Sequence, residues 1–129
     1  MENIKVIYLN VKNNKAPEFL DIPDQLESYY KLIQCRYIDI VRRKIGQRYF
    51  NIVCDDEGML ADMAKISAIS NLGEIMLVGN LIICSDKVTD DGDLTGLTEE
   101  EAEYIKERIQ HLQTHRFRAG YYILTQCEY

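Results

Sequence analysis

The sequence predicts an α+β fold, in which a mainly antiparallel sheet of five or six strands has two principal helices packed against it. Several short runs alternate apolar and polar residues as strands do, and two segments with helical spacing of apolar residues each follow a pair with capping-box spacing. The chain has 129 residues, of which 47% are hydrophobic. One core suits this size, so residues 1–129 are predicted to form a single domain.

The first part of the chain predicts two strands and a helix. Residues 3–11 are rich in β-branched side chains and apolar on almost both faces, which is typical of an interior strand. Residues 18–22 alternate, and they are predicted to form a hairpin with the first strand. Asp24 and Glu27 have capping-box spacing, and a helix of about three turns is predicted after them. Its apolar face consists of Leu26, Tyr29, Tyr30 and Ile33.

The middle of the chain predicts a strand pair and a buried central strand. Residues 36–42 and 49–54 return to period two, and the tight connection between them predicts antiparallel pairing. Residues 59–71 lack strict periodicity, and we expect a turn and at most one short helix there. Residues 75–85 are the most apolar stretch and predict one central strand, bent or bulged at Gly79. Helices must cover this strand, because an isolated sheet would leave one face wet.

The last part of the chain predicts one helix and one strand. Thr98 and Glu101 form a second capping box, and apolar residues then recur at spacings of three and four. A helix is therefore predicted over residues 99–114. Its apolar stripe consists of Ala102, Ile105, Ile109 and Leu112. Residues 121–124 are predicted to add an edge strand.

Charge and cysteine content argue against several function classes. The formal net charge is −6, with nine Lys and Arg against six Asp and Glu in residues 1–48 and six against fifteen in residues 49–129. We therefore expect no general binding of nucleic acid and no membrane association. Neither a signal peptide nor a membrane span is expected. No C-x-x-C pair occurs, so the cysteines are predicted to be reduced, buried thiols of a cytoplasmic protein. They are Cys35, Cys54, Cys84 and Cys127.

Several dispersed segments resemble one known family. They are residues 4–8, 16–18, 54–60, 73–84 and 97–100. In these segments the chain resembles the family called domain of unknown function 3846, whose members are small proteins of bacteriophages and bacterial mobile elements. The resemblance covers about residues 3–110 and implies that residues 116–129 are a C-terminal extension. It implies no catalytic residues.

A basic cluster surrounds the predicted turn between residues 42 and 49. Such a cluster can hold phosphate, and neighbouring aromatic rings can stack on bases. We expect Arg42 and Arg48 to lie opposite each other, with the other two cations at the turn. The predicted ligand-binding residues are Arg42, Arg43, Lys44 and Arg48. The alternative interpretation is a solvated turn above core aromatics.

Residues 86–103 carry eight acids against one lysine. A calcium loop with Gly92 at its sixth position would begin at Lys87 and end at Thr98, so the required terminal carboxylates are missing. An acidic hairpin followed by a helix start is the interpretation that remains. Its predicted partner-binding residues are Asp90, Asp91, Asp93, Glu99 and Glu100.

Metal and nucleophile chemistry have no motif in this sequence. His111 and His115 are four apart on the predicted helix, but the glutamate of H-E-x-x-H is missing, so exposed histidines are expected and no metal site. Two acids follow Cys54, and their negative field would raise the pKa of its thiol. We therefore expect no catalytic residues and no cofactor.

The sequence leaves three function classes open. The first is a non-enzymatic phage or mobile-element accessory protein that binds a host protein, with inhibition of a defence system as one form of that role. The second is a module that uses the basic turn to bind a nucleotide or another small anionic ligand. An enzyme is the third, and it has the least support.

Overall fold

The computed structural model describes residues 3–58, 65–112 and 121–129. These residues form ten strands, two α-helices and one short 3-10 helix. In chain order they are β1 (Asn3–Leu9), the 3-10 helix (Val11–Asn13), β2 (Glu18–Pro23), α1 (Leu26–Ile33), β3 (Ile38–Ile45), β4 (Arg48–Asp55), β5 (Ile66–Ile69), β6 (Ile75–Val78), β7 (Leu81–Ser85), α2 (Glu99–Lys106), β8 (Ile109–Leu112), β9 (Tyr121–Leu124) and β10 (Cys127–Glu128).

The strands are divided between two sheets. The large sheet has the order β10-β3-β4-β7-β1-β2, and all its neighbours are antiparallel. The small sheet has the order β6-β5-β9-β8, and its β5–β9 pair is parallel. The predicted α+β fold, with a mainly antiparallel sheet and two principal helices, is confirmed. The small sheet is a feature that the sequence did not predict.

Period-two alternation in the large sheet divides the apolar core into two layers. In β4, Phe50 and Ile52 belong to the layer shared with α2 and the small sheet, whereas Val53 belongs to the layer shared with α1. Ile105 of α2 completes the first layer, and Ile33 of α1 completes the second. The large sheet is therefore covered on one face by α1 and on the other by α2 and the small sheet.

Helix α1 differs from its prediction in length and in its N-terminal cap. The N-cap residue is Gln25, whose side chain makes no capping hydrogen bond, so the predicted capping box of Asp24 and Glu27 is wrong. Asp24 instead accepts a hydrogen bond from the hydroxyl of Tyr29. The helix has eight residues, about two turns rather than three, and ends where Gln34 adopts a left-handed conformation with φ 61°.

Three side chains bind the C-terminal end of α1. The buried Asn80 amide donates to the Leu32 carbonyl at 3.0 Å and to the Tyr8 hydroxyl at 3.2 Å. The Tyr8 hydroxyl donates to the same carbonyl at 2.6 Å, and the Lys12 ammonium donates to the Gln34 carbonyl at 2.8 Å. Because the last carbonyls of a helix have no partner within it, these bonds hold a short helix against the large sheet.

The most apolar stretch forms two strands, so the prediction of one central strand is wrong. β6 ends at Val78 in the small sheet, and β7 begins at Leu81 in the interior of the large sheet. Between them, Gly79 has a φ of 78°, which glycine adopts without strain. The bend predicted at Gly79 is confirmed. A continuous apolar run cannot show that its two halves belong to different sheets.

Helix α2 is shorter than predicted because the chain turns into a strand. The capping box is confirmed: the Thr98 hydroxyl accepts from the Glu101 N–H at 3.1 Å, and the Glu101 carboxylate accepts from the Thr98 N–H at 2.9 Å. The helix ends at Lys106, and residues 109–112 pair with β9 as β8. The helix predicted over residues 99–114 is therefore wrong for residues 107–112, and residues 113–114 of that prediction lie outside the described residues.

Two other segments differ from their predictions. Residues 66–69 form β5 rather than part of an irregular turn, whereas residues 59–64 of that prediction lie outside the described residues. Residues 121–124 form β9, which lies between β5 and β8, so the predicted edge position is wrong. β10 pairs with β3 in the large sheet, and β9 lies in the small sheet. The described part of the predicted extension, residues 121–129, therefore contributes one strand to each sheet.

The outer edge of β3 is only partly covered by β10. That strand pairs with Lys44 and Ile45, and residues 38–43 have no further strand beside them in the described part of the chain. A hydrogen bond from the Asp56 N–H to the Tyr37 carbonyl, at 2.9 Å, fixes the phase of the β3–β4 ladder. Every second residue, at 38, 40 and 42, therefore directs its backbone N–H and carbonyl away from β4.

Two side chains of β3 bind this outward backbone. The Asp39 carboxylate accepts from the N–H of Ile40 at 2.9 Å. The Arg43 guanidinium donates to the carbonyl of Arg42 at 3.0 Å. Neighbouring side chains thus close part of the edge that no strand covers.

Candidate functional site

The four predicted ligand-binding cations lie near the β3–β4 turn, but on two faces of the large sheet. Arg48 lies opposite Ile45 in the register, so the expected pairing of Arg48 with Arg42 is wrong. Alternation along the strands places Arg42 and Lys44 on the face that α1 covers. Arg43 and Arg48 lie on the face that α2 covers. The four cations therefore do not converge on one point.

Two of these arginines bind carboxylates of the same chain. The Arg42 guanidinium donates to both Asp86 oxygens, at 2.6 and 3.1 Å, and lies 4.1 Å from the centre of the Tyr49 ring. This hydrogen bond lowers the pKa of Asp86. The Arg48 guanidinium donates to Glu100 at 2.6 Å. Both charges are thus already compensated within the molecule.

The other two cations also lie against neighbouring groups. The Arg43 guanidinium lies 4.8 Å from the centre of the Tyr129 ring. Lys44 is half-buried and lies opposite Tyr49 on β4 and Glu128 on β10. An anion at this turn would have to displace contacts that the fold already makes.

The acidic segment forms an ordered loop between β7 and α2. Val88 and Leu94 make an isolated β-bridge, and the N–H of Gly92 donates to the Thr89 carbonyl at 2.9 Å. Gly92 has a φ of 84°, which this turn requires. Three carboxylates of the loop are exposed and have no ion pair or side-chain hydrogen bond within the described residues. They are those of Asp90, Asp91 and Asp93.

The remaining two predicted partner-binding residues lie in the first turn of α2. Glu99 and Glu100 are both exposed. Glu100 holds Arg48, whereas Glu99 has no partner in the part of the chain that the structure describes. Four of the five predicted acids therefore have no ion pair with any described residue.

A cleft that the sequence analysis missed lies between this loop and the start of β1. Its volume is about 610 Å³. Ile4, Leu94 and Leu97 are the apolar residues of its lining, and Asp24 and Asp93 are its carboxylates. No local pattern predicts this site, because its walls come from three separate parts of the chain. In the sequence, Asp24 fits the pattern of a helix cap instead.

Among the described residues that line the cleft, two carboxylates stand against one lysine. The buried Tyr29 hydroxyl donates to Asp24. Burial raises the pKa of Tyr29, and the hydrogen bond to Asp24 and the charge of Asp93 raise it further, so this hydroxyl stays a donor at neutral pH. Lys5 is the one cation in the lining, and its ammonium lies over the Phe19 ring at 5.7 Å. Phe19 packs on the α2 face of the sheet, away from Ile4.

The cysteines are all free thiols, and three of them are buried as predicted. Burial raises the pKa of Cys54 and of Cys84 to about 12, and that of Cys127 to about 11. The charge of Arg43 acts in the opposite direction on Cys54 and Cys127 without cancelling this effect. Cys35 is only half-buried.

His111 does not lie on a helix, so the prediction of two histidines on one helix face is wrong at His111. His111 lies on β8 and contacts the Tyr122 ring edge-on, with 4.8 Å between ring centres. His115 lies outside the described residues. Among the residues that the structure describes, no group of three His, Cys, Asp or Glu side chains could hold a metal ion. Neither described helix is long and apolar enough to span a bilayer.

The fold and the site define a small α+β protein with two packed sheets and an acidic cleft. The family model of a domain of unknown function, DUF3846, matches residues 4–110, and the chain belongs to this family. The family assignment made from the sequence is thereby confirmed. No curated protein and no solved structure matches the chain. The matched range ends within β8, so β9 and β10 are strands of the fold that lie beyond it.

Proposed function

We propose that this chain is a non-enzymatic accessory protein of a bacteriophage or mobile element that binds a basic protein in the host cytoplasm. The observation that carries the proposal is the contrast between two charged clusters. Arg42 and Arg48 hold carboxylates of the same chain. The acids of the 87–97 loop have no such partners in the described structure. Inhibition of a host defence system is one role that such binding would serve.

Unpaired surface carboxylates favour encounter with a basic partner. Exposed charges attract each other over a Debye length of about 8 Å at physiological ionic strength, so an acidic loop steers a basic surface toward itself. The net charge of −6 strengthens this steering and weakens encounters with acidic proteins. Charge of this kind contributes more to association rate and to choice of partner than to affinity.

Binding of a nucleotide at the basic cluster is the weaker alternative. Its phosphates would compete with Asp86 for Arg42 and with Glu100 for Arg48. Breaking each of these exposed ion pairs offsets part of what a new phosphate contact gains. An enzymatic role is weaker still, because no group of residues described above suggests a reaction.

The proposal is tested by charge reversal in the loop against a matched control. The loop variant combines Asp90→Lys, Asp91→Lys and Asp93→Lys. The control combines Glu18→Lys, Asp56→Lys and Glu74→Lys, three exposed acids outside the loop. Each triple raises the formal net charge from −6 to zero. Circular dichroism shows whether both variants keep the fold.

Each tagged protein is incubated with host lysate at low and at high salt, and retained proteins are quantified by mass spectrometry. We expect the wild type and the control to retain the same basic protein. The loop variant should retain about tenfold less of it, and added salt should weaken capture by the wild type. Equal retention by the loop variant, or an equal loss in the control, would contradict the proposal.

A further inference from the structure

We propose that the cleft between the 87–97 loop and β1 receives an arginine side chain of the partner protein. This inference rests on the proposed function and names the group that the site recognises. It combines three features of the cleft: its size, its apolar walls and its two carboxylates without a compensating cation among the described residues.

The size and walls of the cleft suit a long side chain with an aliphatic stem. Its volume of about 610 Å³ lies within the range of about 300 to 1,000 Å³ that is typical of ligand pockets. Ile4, Leu94 and Leu97 offer apolar surface to the methylene groups of an arginine. A long basic side chain commonly packs its stem on apolar surface while its charged end meets polar groups.

The carboxylates of the cleft are positioned to receive the charged end. Asp24 precedes α1 and Asp93 belongs to the loop, so the two reach the cleft from separate segments. The Tyr29 hydroxyl holds one oxygen of Asp24, which leaves the other oxygen to accept from a ligand. Lys5 cannot neutralise the pair from its position over Phe19 on the opposite face of the sheet.

The arrangement favours arginine over the other cations. A guanidinium carries five N–H donors in a planar fork, so it can donate to two separate carboxylates at once. Thr89 and Thr95 also line the cleft. The Thr89 hydroxyl already accepts from the Asp93 N–H at 3.0 Å, whereas the Thr95 hydroxyl donates its proton to the Lys87 carbonyl at 2.6 Å and keeps its oxygen as a further acceptor. A lysine ammonium is a compact point charge with three donors and suits this spread of acceptors less well. A metal ion is a poorer fit, because the described residues contain no group of three suitable ligands.

The test uses the full chain and a short capped peptide, acetyl-Gly-Ser-Arg-Ser-Gly-amide. Amide chemical shifts are followed by NMR as the peptide is added. Two control peptides replace arginine by citrulline, which keeps the shape without the charge, or by lysine. We expect the arginine peptide to shift the amide signals of Ile4, Leu94 and Gly96 saturably. The citrulline peptide should not shift them, and the lysine peptide should bind more weakly.

Variants locate the binding within the cleft. Asp93→Asn should raise the Kd of the arginine peptide by about tenfold, since each charge-assisted hydrogen bond is among the strong ones. Asp24→Asn should raise the Kd by a similar factor. If this variant unfolds because its contact with Tyr29 is weakened, Asp93→Asn still tests the inference. Asp91→Asn is the matched control, because Asp91 belongs to the same loop but not to the cleft lining, and it should leave the Kd unchanged.

The outcomes separate this inference from the proposed function. Absence of shifts at millimolar arginine peptide, equal binding of the citrulline or lysine peptide, or an equal effect of Asp91→Asn would overturn it. If the loop charge reversal abolishes partner capture while the arginine peptide does not bind, the loop docks a partner without the cleft. If the peptide binds but partner capture is unaffected by the reversal, the cleft recognises arginine and the proposed function fails.

Discussion

Cys54, Cys84 and Cys127 lie among apolar side chains in the two layers of the core. A thiolate in those surroundings would lose its hydration, which is why burial raises the pKa of each thiol. The thiolate is the nucleophilic form of cysteine, and at neutral pH a thiol with a pKa of about 12 forms very little of it. These residues act as small apolar side chains of the core.

Alkylation of the folded protein at neutral pH should therefore distinguish the four cysteines. We expect Cys35, which is half-buried, to react with iodoacetamide about tenfold faster than the other three. Peptide mapping by mass spectrometry measures the rates. Denaturant should bring all four to similar rates, which serves as the control. Fast labelling of Cys54 or Cys84 in the folded protein would show that one of them is a reactive thiol.

The charged side chains show how far sequence reasoning reaches at this scale. Period two alone separates Arg42 from Arg43 onto opposite faces of a strand, so this part was predictable. The partners were not predictable, because Asp86 and Glu100 lie 44 and 52 positions away from the arginines that they bind. Whether a surface charge is paired depends on the tertiary structure. The choice between the basic turn and the acidic loop as the binding surface therefore needed the structure as well.

Among the elements, the β3–β4 hairpin depends on its turn glycine. Gly46 has a φ of 62°, and a β-carbon there would lie 2.4 Å from the Arg108 Nε and 2.5 Å from the Tyr104 hydroxyl. That hydroxyl accepts a hydrogen bond from the Gln47 N–H at 2.7 Å, and the Arg108 guanidinium stacks 3.6 Å from the centre of the Tyr104 ring. The side chains of Tyr104 and Arg108 thus hold the turn against the C-terminal end of α2.

Gly46→Ala should destabilise the protein through both its backbone and its contacts. Gly92→Ala is the matched control, because Gly92 has a φ of 84° and open space around its α-carbon. We expect Gly92→Ala to lower the free energy of unfolding by about 1 to 2 kcal/mol. Gly46→Ala should lower it by about 1 to 3 kcal/mol more, as overpacking does. Urea denaturation measures both, and equal losses would show that the neighbours of Gly46 move aside freely.

The elements also show why local patterns misplace boundaries. The stripe that predicted a helix over residues 99–114 includes Ile109 and Leu112, yet both belong to β8. Their strand partner is β9, which local periodicity does not take into account. The capping box of α2 was predicted correctly, because all of its hydrogen bonds lie within four residues. In α2, local signals predicted the start of the helix correctly. They missed its end, because the residues that follow pair with a strand that is distant in the sequence.

At the scale of the whole molecule, the chain passes repeatedly from one sheet to the other. β6 belongs to the small sheet and β7 to the large one, and β9 and β10 repeat this step at the C-terminus. Neither sheet is made from one continuous segment, so neither can form without much of the chain. The cleft has the same origin, since residues 3–5, Asp24 and residues 89–97 meet only in the finished fold. The sequence therefore predicted the large sheet and missed the small sheet and the cleft.

Truncation tests whether the C-terminal strands are necessary for this arrangement. A chain ending at residue 120 lacks β9, the strand between β5 and β8, and we expect it to lose the cooperative unfolding transition. A chain ending at residue 126 lacks the two-residue β10 and Tyr129, and it should keep that transition at a lower midpoint. Thermal unfolding followed by circular dichroism measures both. A wild-type midpoint in the shorter chain would show that β9 is dispensable.

The side chains that bind the backbone of β3 also limit how copies of this protein can stick together. Exposed strand edges are common starting points of aggregation, because their unpaired N–H and carbonyl groups template the addition of another strand. Here an incoming strand would first have to displace the Asp39 carboxylate and the Arg43 guanidinium, and it would then meet two charges at the edge. At this edge the two side chains thus oppose the addition of a strand from another copy of the chain.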